Sequence, residues 1–346
     1  MIDMQILENV SLKDYSSMKL GGSARYLINI DSKDSLVEAL TWAKDKKLDH
    51  LVVGGGNNIV WKDEGFDGVV LVNKILGISS NQIGDSMLQI TLGAGEDWDS
   101  AVEKFTNQGY SGIENLSYIP GTCGAAPIQN IGAYGGEIAK VLNSVEAYDT
   151  SINEFVSIPV ADCELGYRAS RFKYSDKNRF VISSITITLE KKNPSKPYYD
   201  AVEKYLTANN INDEVTPMIL RKVVIAIRQS KLPDPKINPN NGSFFANPII
   251  DKTSFDNLLT QFPEIVYWPT GDGKVKISAG WLIDQIGYKD KFDPQTGMAT
   301  WNTHSLTLVN KSAKSTSDLL NFKQQIISKV KEKFGIDLEQ EPELLP

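Results

Sequence analysis

The chain has few cysteines and few histidines for its length. Its 346 residues include two cysteines, Cys123 and Cys163, and two histidines. Two cysteines in a chain this long do not make a disulfide framework of the kind that holds small secreted domains together. Two histidines without a Cys/His spacing pattern argue against a structural zinc site, so we expect no metal. A reducing cytoplasm is the simplest location for such a protein.

Long apolar runs and an excess of positive charge are also missing. No stretch approaches the roughly 18 apolar residues of a membrane-spanning helix. The N-terminal sequence MIDMQILENVSLKDY has neither the basic start nor the apolar segment of a signal peptide. The formal net charge is -7, whereas nucleic-acid-binding domains carry a basic face. We therefore expect a protein that binds neither membranes nor nucleic acid.

Hydrophobic residues make up 41% of the chain and charged residues 23%, which is ordinary for a protein with a packed core. The length indicates two or three domains. Apolar periodicity predicts strands over 24–30, 68–73 and 179–192 and helices over 35–46, 216–231 and 315–335. Ser315 with Asp318 is a helix start signal, and Gly335 is a stop signal. The Gly/Pro-rich residues 112–138 predict irregular structure.

Three glycine clusters follow predicted strands or lie between them: Gly54–Asn58, Gly93–Gly95 and Gly121–Ala126. Glycine allows a tight turn and a close approach of the backbone to a ligand. Successive N–H groups in such a turn form a nest suited to a pyrophosphate. None of the clusters has the Rossmann or the Walker spacing. Each is explained equally well as a tight turn, but together they predict a site for one extended dinucleotide outside a Rossmann fold.

Six motifs then appear in the order of one known family. They are VVGGGNNIV, residues 112–135 (GIENLSYIPGTCGAAPIQNIGAYG), GYRASRFK, LPDPK with NNGSFFANP, SAGWLIDQIG, and LEQE after FGID. On these motifs the chain resembles the MurB family of UDP-N-acetylenolpyruvoylglucosamine reductases over nearly its whole length. The segment KPYYDAVEKYL resembles the substrate-gating loop of the longer, type I members.

The resemblance implies an α+β fold in three parts. Residues 1–75 and 76–215 are expected to form a two-part FAD-binding unit of the vanillyl-alcohol-oxidase (PCMH) type. Residues 216–346 are expected to form a C-terminal α+β substrate-binding domain. The implied cofactors are FAD and NADPH, the implied partner is a UDP-sugar, and a monomer is expected. The residues that the resemblance assigns to FAD are Gly54, Gly55, Gly56, Asn57, Asn58, Pro120, Gly121, Thr122, Gly124, Ala125, Gln129, Asn130, Gly132, Tyr134 and Arg228.

The implied reaction is the NADPH-dependent reduction of an enolpyruvyl ether on UDP-N-acetylglucosamine to UDP-N-acetylmuramate in peptidoglycan synthesis. Ser243 matches the family's proton donor, Arg168 its carboxylate-stabilising arginine and Glu341 its catalytic glutamate. Taken alone, a serine after glycine is a turn residue and a lone arginine is a surface ion-pair partner. Glu341 on its own is a solvated charge in an acidic tail. The resemblance favours the catalytic interpretation of all three.

The residues expected to contact the substrate are Tyr167, Tyr198, Lys231, Asn247 and His304. The sequence does not decide whether Tyr198 or Tyr199 closes over the substrate. His304 stands where some type I members have glutamine, and Cys123 stands where the family usually has valine or isoleucine. Cys123 is expected to be a small buried apolar residue.

Two other functions remain open from the sequence. One is another FAD-dependent oxidase or dehydrogenase of the vanillyl-alcohol-oxidase type, which has no need for Ser243 and Glu341. The other is a flavin-free binding or scaffold protein, although the catalytic motifs are intact.

Overall fold

The structure is a computed structural model that describes residues 4–211 and 214–346. The chain divides into two compact units. Unit 1 combines Met1–Val10, Ala24–Gly55 and Phe66–Gln229, apart from the residues outside the described ranges. Unit 2 combines Ser11–Ser23, Gly56–Gly65 and Ser230–Pro346. Two short N-terminal segments therefore fold together with the C-terminal third of the chain.

The described residues form seven α-helices and twenty strands. The helices are α1 (Lys33–Asp45), α2 (Trp98–Asn107), α3 (Asp200–Ala208), α4 (Pro217–Lys231), α5 (Lys252–Gln261), α6 (Ala279–Gln285) and α7 (Thr316–Phe334). The strands are β1 (Ile6–Ser11), β2 (Ser23–Ile30), β3 (His50–Val53), β4 (Ile59–Trp61), β5 (Phe66–Asn73), β6 (Ile78–Ile83), β7 (Met87–Gly93), β8 (Gly132–Ala133), β9 (Gly136–Glu137), β10 (Leu142–Asp149), β11 (Glu154–Pro159), β12 (Phe180–Glu190), β13 (Asn240–Ser243), β14 (Ile249–Asp251), β15 (Tyr267–Pro269), β16 (Lys274–Ile277), β17 (Phe292–Asp293), β18 (Met298–Trp301), β19 (His304–Asn310) and β20 (Glu343–Leu345).

The first sheet of unit 1 has the strand order β1-β2-β5-β3, in which β5 runs parallel to both β2 and β3. Helix α1 begins at the N-cap Ser32, whose side chain accepts a hydrogen bond from the Ser35 N–H. Its residues Leu36, Leu40 and Ala43 are buried against this sheet. The predicted helix over 35–46 and its apolar face are therefore confirmed.

The second sheet of unit 1 is antiparallel, in the order β11-β10-β12-β7-β6. Its long strand β12 alternates between buried and partly buried residues, as its sequence pattern predicts. Helix α2 packs on this sheet through Ala101, Val102 and Phe105. Helices α3 and α4 form a smaller apolar cluster that includes Val202 and Val224. The turn after β7 thus leads directly into a buried helix.

Unit 2 contains two antiparallel sheets, β13-β19-β18-β17 and β14-β16-β15, and a parallel pair formed by β20 and β4. Helix α7 buries Leu319, Phe322 and Ile326 in its core. As predicted, α7 begins at the N-cap Ser315 and ends at Gly335, which has φ +70°. The parallel pair of β20 and β4 therefore joins the C-terminal tail to residues just after Gly56.

None of the helices in the described part of the chain has the length and hydropathy needed to cross a membrane. The three-part division with boundaries at residues 75 and 215 stays a prediction.

Candidate active site

The turn that carries Ser243 is shaped by a β-bulge in unit 2. Strand β13 pairs with β19 at Asn240–Val309 and again at Ser243–Thr307. The β13 side has one more residue between these two pairs than the β19 side, which defines a bulge. Gly242 takes φ +72° within it, a conformation that favours glycine. A bulge of this kind redirects the side chains next to it, so it sets the direction of Ser243.

Asn241, within the same bulge, bonds the turn to Ser17 and to residues in and just after the first glycine cluster. Its Nδ2 lies 3.0 Å from Ser17 Oγ, 3.1 Å from Asn57 O and 3.1 Å from Ile59 O. Because carbonyl oxygens only accept, the amide nitrogen must face them. The opposite oxygen, Oδ1, is buried and has no hydrogen-bond partner among residues 4–211 and 214–346. The sequence did not single out Asn241, since asparagine before glycine is a common turn residue.

The C-terminal tail lies against the Ser243 strand within unit 2. The Glu341 N–H donates to the Phe244 carbonyl at 3.0 Å. Two residues later, the Glu343 N–H donates to the Asn58 carbonyl at 2.9 Å, and β20 pairs with β4 from that point. Glu341 is half-buried, so it is not part of a fully solvated tail. Unit 2 therefore brings Ser243, Glu341, Asn57 and Asn58 together through backbone and Asn241 contacts.

Three predicted substrate residues also lie in unit 2. Asn247 Oδ1 accepts the N–H of Ala279, the first residue of α6, at 3.0 Å. His304 Nδ1 is 3.4 Å from Oγ1 of Thr307, the residue that pairs with Ser243. Lys231 has an exposed side chain. The structure thus brings His304 close to the strand position beside Ser243.

In unit 1, residues of all three glycine clusters pack against one another. A Cβ atom on Gly54 would lie 2.4 Å from Thr122 Oγ1 and 3.7 Å from the Ala125 Cβ. A Cβ atom on Gly124 would lie 2.6 Å from the Ala94 Cβ. These positions accept only glycine without a shift of their neighbours, so the backbones of these turns pack closely together. Glycine turns let the backbone approach a ligand closely, which fits the diphosphate of FAD.

Unit 1 also contains other residues that the resemblance assigns to FAD, among them Gly55, Pro120, Gly121 and Gln129. The Gly121 carbonyl accepts the Trp98 N–H at 3.0 Å, and Gly121 has φ +132°. Gly55 and Pro120 are exposed, and Gln129 is half-buried. Five of the residues assigned to FAD in this unit therefore sit on turns fixed by hydrogen bonds or close backbone contacts, namely Gly54, Gly121, Thr122, Gly124 and Ala125.

Arg168 lies next to the β8–β9 hairpin of unit 1. Its Nη2 donates to the Gly132 carbonyl at 3.3 Å, and its guanidinium carbon is 5.8 Å from the centre of the Tyr167 ring. Asn130 Nδ2 donates to the Gly166 carbonyl at 3.0 Å. Arg168 and Asn130 both take positive φ, +55° and +46°. The structure therefore groups Arg168 with Tyr167, Asn130 and Gly132, which the sequence assigned separately to substrate and cofactor.

Arg228 and Tyr134 extend the same group. Burial lowers the pKa of Arg228, and the neighbouring charge of Arg168 lowers this pKa as well. Tyr134 interacts with Arg228 and packs edge-on against Tyr199, with ring centres 5.6 Å apart. The phenol of Tyr198 instead donates to the Pro194 carbonyl at 3.1 Å. Of the two tyrosines left open by the sequence, Tyr199 is thus the one in ring contact with Tyr134, and Tyr198 is bonded within its own loop.

Both cysteines are buried in unit 1, as expected for Cys123. Burial raises the pKa of Cys163 to about 11 and raises the pKa of Cys123 as well. Because the thiolate is the reactive form, both thiols are expected to resist modification in the folded protein. A disulfide reagent at mildly alkaline pH should release almost no signal from native protein and two thiols per chain after denaturation. Rapid labelling of one thiol in the native protein would contradict this burial.

Comparison with known proteins defines the class. Residues 24–151 match the family described as FAD binding domain, and residues 234–345 match the one described as UDP-N-acetylenolpyruvoylglucosamine reductase, C-terminal domain. Among solved structures, the UDP-N-acetylenolpyruvylglucosamine reductase (MurB) from Thermus caldophilus matches with a TM-score of 0.67 and 22% identity, over 99% of this chain and 100% of that one. The predicted α+β fold class, an FAD-binding part followed by a C-terminal α+β domain, is confirmed. The fold and the matches define an FAD-dependent oxidoreductase.

Curated relatives identify the family. The UDP-N-acetylenolpyruvoylglucosamine reductase of Ralstonia nicotianae is 39% identical over 331 residues, which are 95% of this chain and 96% of the relative. The enzyme of the same description from Burkholderia multivorans is 38% identical over 98% of this chain and 97% of its own length. The chain belongs to the UDP-N-acetylenolpyruvoylglucosamine reductase family.

Proposed function

We propose that this enzyme uses NADPH and bound FAD to reduce UDP-N-acetyl-3-O-(1-carboxyvinyl)-glucosamine to UDP-N-acetylmuramate, a step of peptidoglycan precursor synthesis in the cytoplasm. The proposal rests on family membership. The observation that carries it furthest is the grouping of Ser243, Glu341, Asn57 and Asn58 in unit 2. An oxidase of the wider fold class has no need for a serine and a glutamate held in this way.

Ser243 is proposed to deliver a proton to the substrate. When bound, FAD supplies the hydride chemistry, accepting hydride from NADPH and passing it to the vinylic carbon. The neighbouring carbon must then receive a proton. A serine hydroxyl is a weak acid, so its contribution depends on accurate placement. The bulge at Gly242 and the three oxygens around Asn241 Nδ2 support this role, because they restrain the backbone next to Ser243.

Arg168 and Glu341 are proposed to act on the substrate carboxylate. Negative charge develops beside this carboxylate as hydride adds, and a guanidinium that stays protonated stabilises it electrostatically. Arg168 is half-buried and keeps one guanidinium nitrogen on the Gly132 carbonyl, which restricts its orientation. Glu341, as the neutral acid, is able to donate a hydrogen bond to the enolic carboxylate. Its backbone bond to Phe244 fixes it beside the serine strand.

The proposal also covers the cofactor and substrate contacts of the other site residues. The residues that resemble the family's FAD contacts are proposed to bind FAD, with the glycine turns on its diphosphate. Tyr167, Tyr198, Lys231, Asn247 and His304 are proposed to contact the UDP-sugar. The three-part division of the chain, the monomeric state and the preference for NADPH also belong to the proposal.

FAD content is the first test. Protein purified from an expression host, or reconstituted with FAD after removal of bound nucleotide, is expected to show the visible absorbance of an oxidised flavin at one equivalent per chain. The measurement is a spectrum with quantification of FAD released on denaturation. A folded protein that neither carries flavin nor takes it up would contradict the proposed function.

A further inference from the structure

A buried ion pair outside the predicted site residues joins α2 to α4 in unit 1. Arg221 Nη1 is 2.5 Å from Asp99 Oδ1, and Arg221 Nη2 is 2.9 Å from Asp99 Oδ2. The Arg221 side chain is 8% exposed and the Asp99 side chain 25%. Two parallel bonds between a guanidinium and a carboxylate fix both direction and distance. The ion pair therefore holds α2 and α4 together at this point.

The same ion pair holds the backbone of Tyr118. Asp99 Oδ1 accepts the Tyr118 N–H at 2.5 Å, while Arg228 Nε donates to the Tyr118 carbonyl at 3.1 Å. Arg221 and Arg228 are seven residues apart on α4, which places them two turns apart on one helix face. Helix α4 thus holds both backbone polar groups of Tyr118. Arg228 binds the carbonyl directly, and Arg221 acts on the N–H through Asp99.

Tyr118 needs such support because of its backbone conformation. It has φ +59°, in the left-handed region that is unfavourable for a residue with a side chain. Two residues further along, Pro120 begins the turn that includes Gly121 and Thr122. The other end of this stretch is held by α2, since the Trp98 N–H donates to the Gly121 carbonyl at 3.0 Å. The conformation of Tyr118 therefore sets the direction in which the chain enters the turn that begins at Pro120.

We propose that Asp99 and Arg221 are positioning residues for the cofactor. They hold Tyr118 in its left-handed conformation and so keep the Pro120–Ala125 turn in the shape that binds FAD. This inference rests on the proposed function, in which that turn contacts FAD. Neither residue needs to touch the cofactor; both act through the Tyr118 backbone.

FAD affinity depends on the fraction of the protein in which the Pro120–Ala125 turn is correctly formed. Removal of one partner leaves a buried charge without its counter-charge and frees Tyr118 to leave the left-handed region. When only a fraction of the protein is competent to bind, the apparent dissociation constant rises by the inverse of that fraction. The variants are therefore expected to bind FAD more weakly even at temperatures where the protein is fully folded.

The test compares Asp99→Ala, which removes the acceptor of the Tyr118 N–H, and Arg221→Met with a matched control. Glu103 also faces Arg221, at 4.0 Å from its Nη2, but its side chain is 61% exposed, so Glu103→Gln removes a charge from the same arginine without unlocking Tyr118. FAD affinity is measured by titration of flavin-free protein well below the unfolding temperature. We expect about a tenfold or greater rise in Kd for Asp99→Ala and for Arg221→Met. Glu103→Gln should change Kd by less than about twofold.

Two further measurements separate positioning from general stability. Arg221→Lys keeps the charge but loses the two parallel bonds, so it is expected to fold and still to bind FAD more weakly than the wild type. The double variant Asp99→Ala/Arg221→Met should raise Kd by much less than the product of the two single effects, since both act through one contact. The visible circular dichroism of bound FAD should change in the variants and stay unchanged in Glu103→Gln.

Failure of this inference and failure of the proposed function give different results. If Asp99→Ala, Arg221→Met and Arg221→Lys lower the unfolding temperature but bind FAD with the wild-type Kd, the ion pair is only structural and the inference is wrong. If the wild-type protein itself binds no FAD, the proposed function fails, and the inference with it.

Discussion

Replacing Ser243 with alanine is expected to slow the reoxidation of reduced flavin by the enolpyruvyl substrate by about 10²–10⁴-fold, the usual contribution of a positioned general acid. Reduction of the bound flavin by NADPH should keep its wild-type rate, because that half-reaction needs no proton from Ser243. Stopped-flow absorbance measures the two half-reactions separately. The side chain lies at the end of the bulge in β13, so alanine removes the hydroxyl with little change in backbone.

The control for this variant is Ser243→Cys, which keeps a group able to donate a proton at the same position. It should recover part of the lost rate, and both variants should bind FAD as the wild type does. Two normal half-reactions in Ser243→Ala would exclude Ser243 as the proton donor. A loss of both half-reactions together would instead indicate a damaged site.

Gly56→Ala is expected to abolish measurable FAD binding. An alanine Cβ at this position would lie 2.2 Å from the Tyr15 carbonyl oxygen and 2.7 Å from its carbon, and the residue has φ +69°. A contact this close with backbone cannot be relieved by a side-chain rotation, so the Gly56–Asn58 loop or Tyr15 must move. We expect a loss in the free energy of unfolding of about 2–4 kcal/mol, more than left-handed strain alone accounts for.

Gly84 offers a matched control for this variant. It has a similar φ of +63°, and no atom of the described residues, 4–211 and 214–346, lies within 4 Å of a Cβ built on it. Gly84→Ala should therefore lose only the cost of left-handed backbone, about 1–2 kcal/mol, and should bind FAD normally. Denaturant unfolding and FAD titration check both variants. Equal effects of the two substitutions would show that the contact with Tyr15 does not matter.

Local structure in this chain follows from local sequence. Helix α7 begins at Ser315 and ends at Gly335 as its capping residues predict, because caps depend only on neighbours along the chain. The apolar face of α1 is predictable in the same way, because the helical spacing of its apolar residues is a local feature of the sequence. The glycine clusters likewise turn where the sequence predicts turns.

The assembly of the site depends on pairings that no local pattern contains. Asn241 bonds to Ser17 and to Asn57, which are 224 and 184 residues away. Asp99 and Arg221 are 122 residues apart. The short segments Ser11–Ser23 and Gly56–Gly65 fold with unit 2, although their neighbours along the chain belong to unit 1. These contacts arise from tertiary packing, so periodicity and capping signals could not predict them.

The roles of Ser243, Arg168 and Glu341 came from resemblance to a family and not from their residue types. A serine after glycine or a glutamate in an acidic tail predicts no chemistry by itself. The structure adds that Glu341 is half-buried and bonded to the strand of Ser243. That contact gives a physical reason for two residues far apart in sequence to act on one substrate.

The most direct test mixes the FAD-loaded protein with NADPH in the presence and absence of the enolpyruvyl UDP-sugar. NADPH oxidation is followed by absorbance, and the nucleotide product is identified by mass. We expect oxidation only when the nucleotide is present, with one NADPH consumed for each UDP-N-acetylmuramate formed. NADPH oxidation at the same rate without the nucleotide, or nucleotide recovered unreduced, would contradict the proposed function and favour another flavin-dependent oxidase or dehydrogenase.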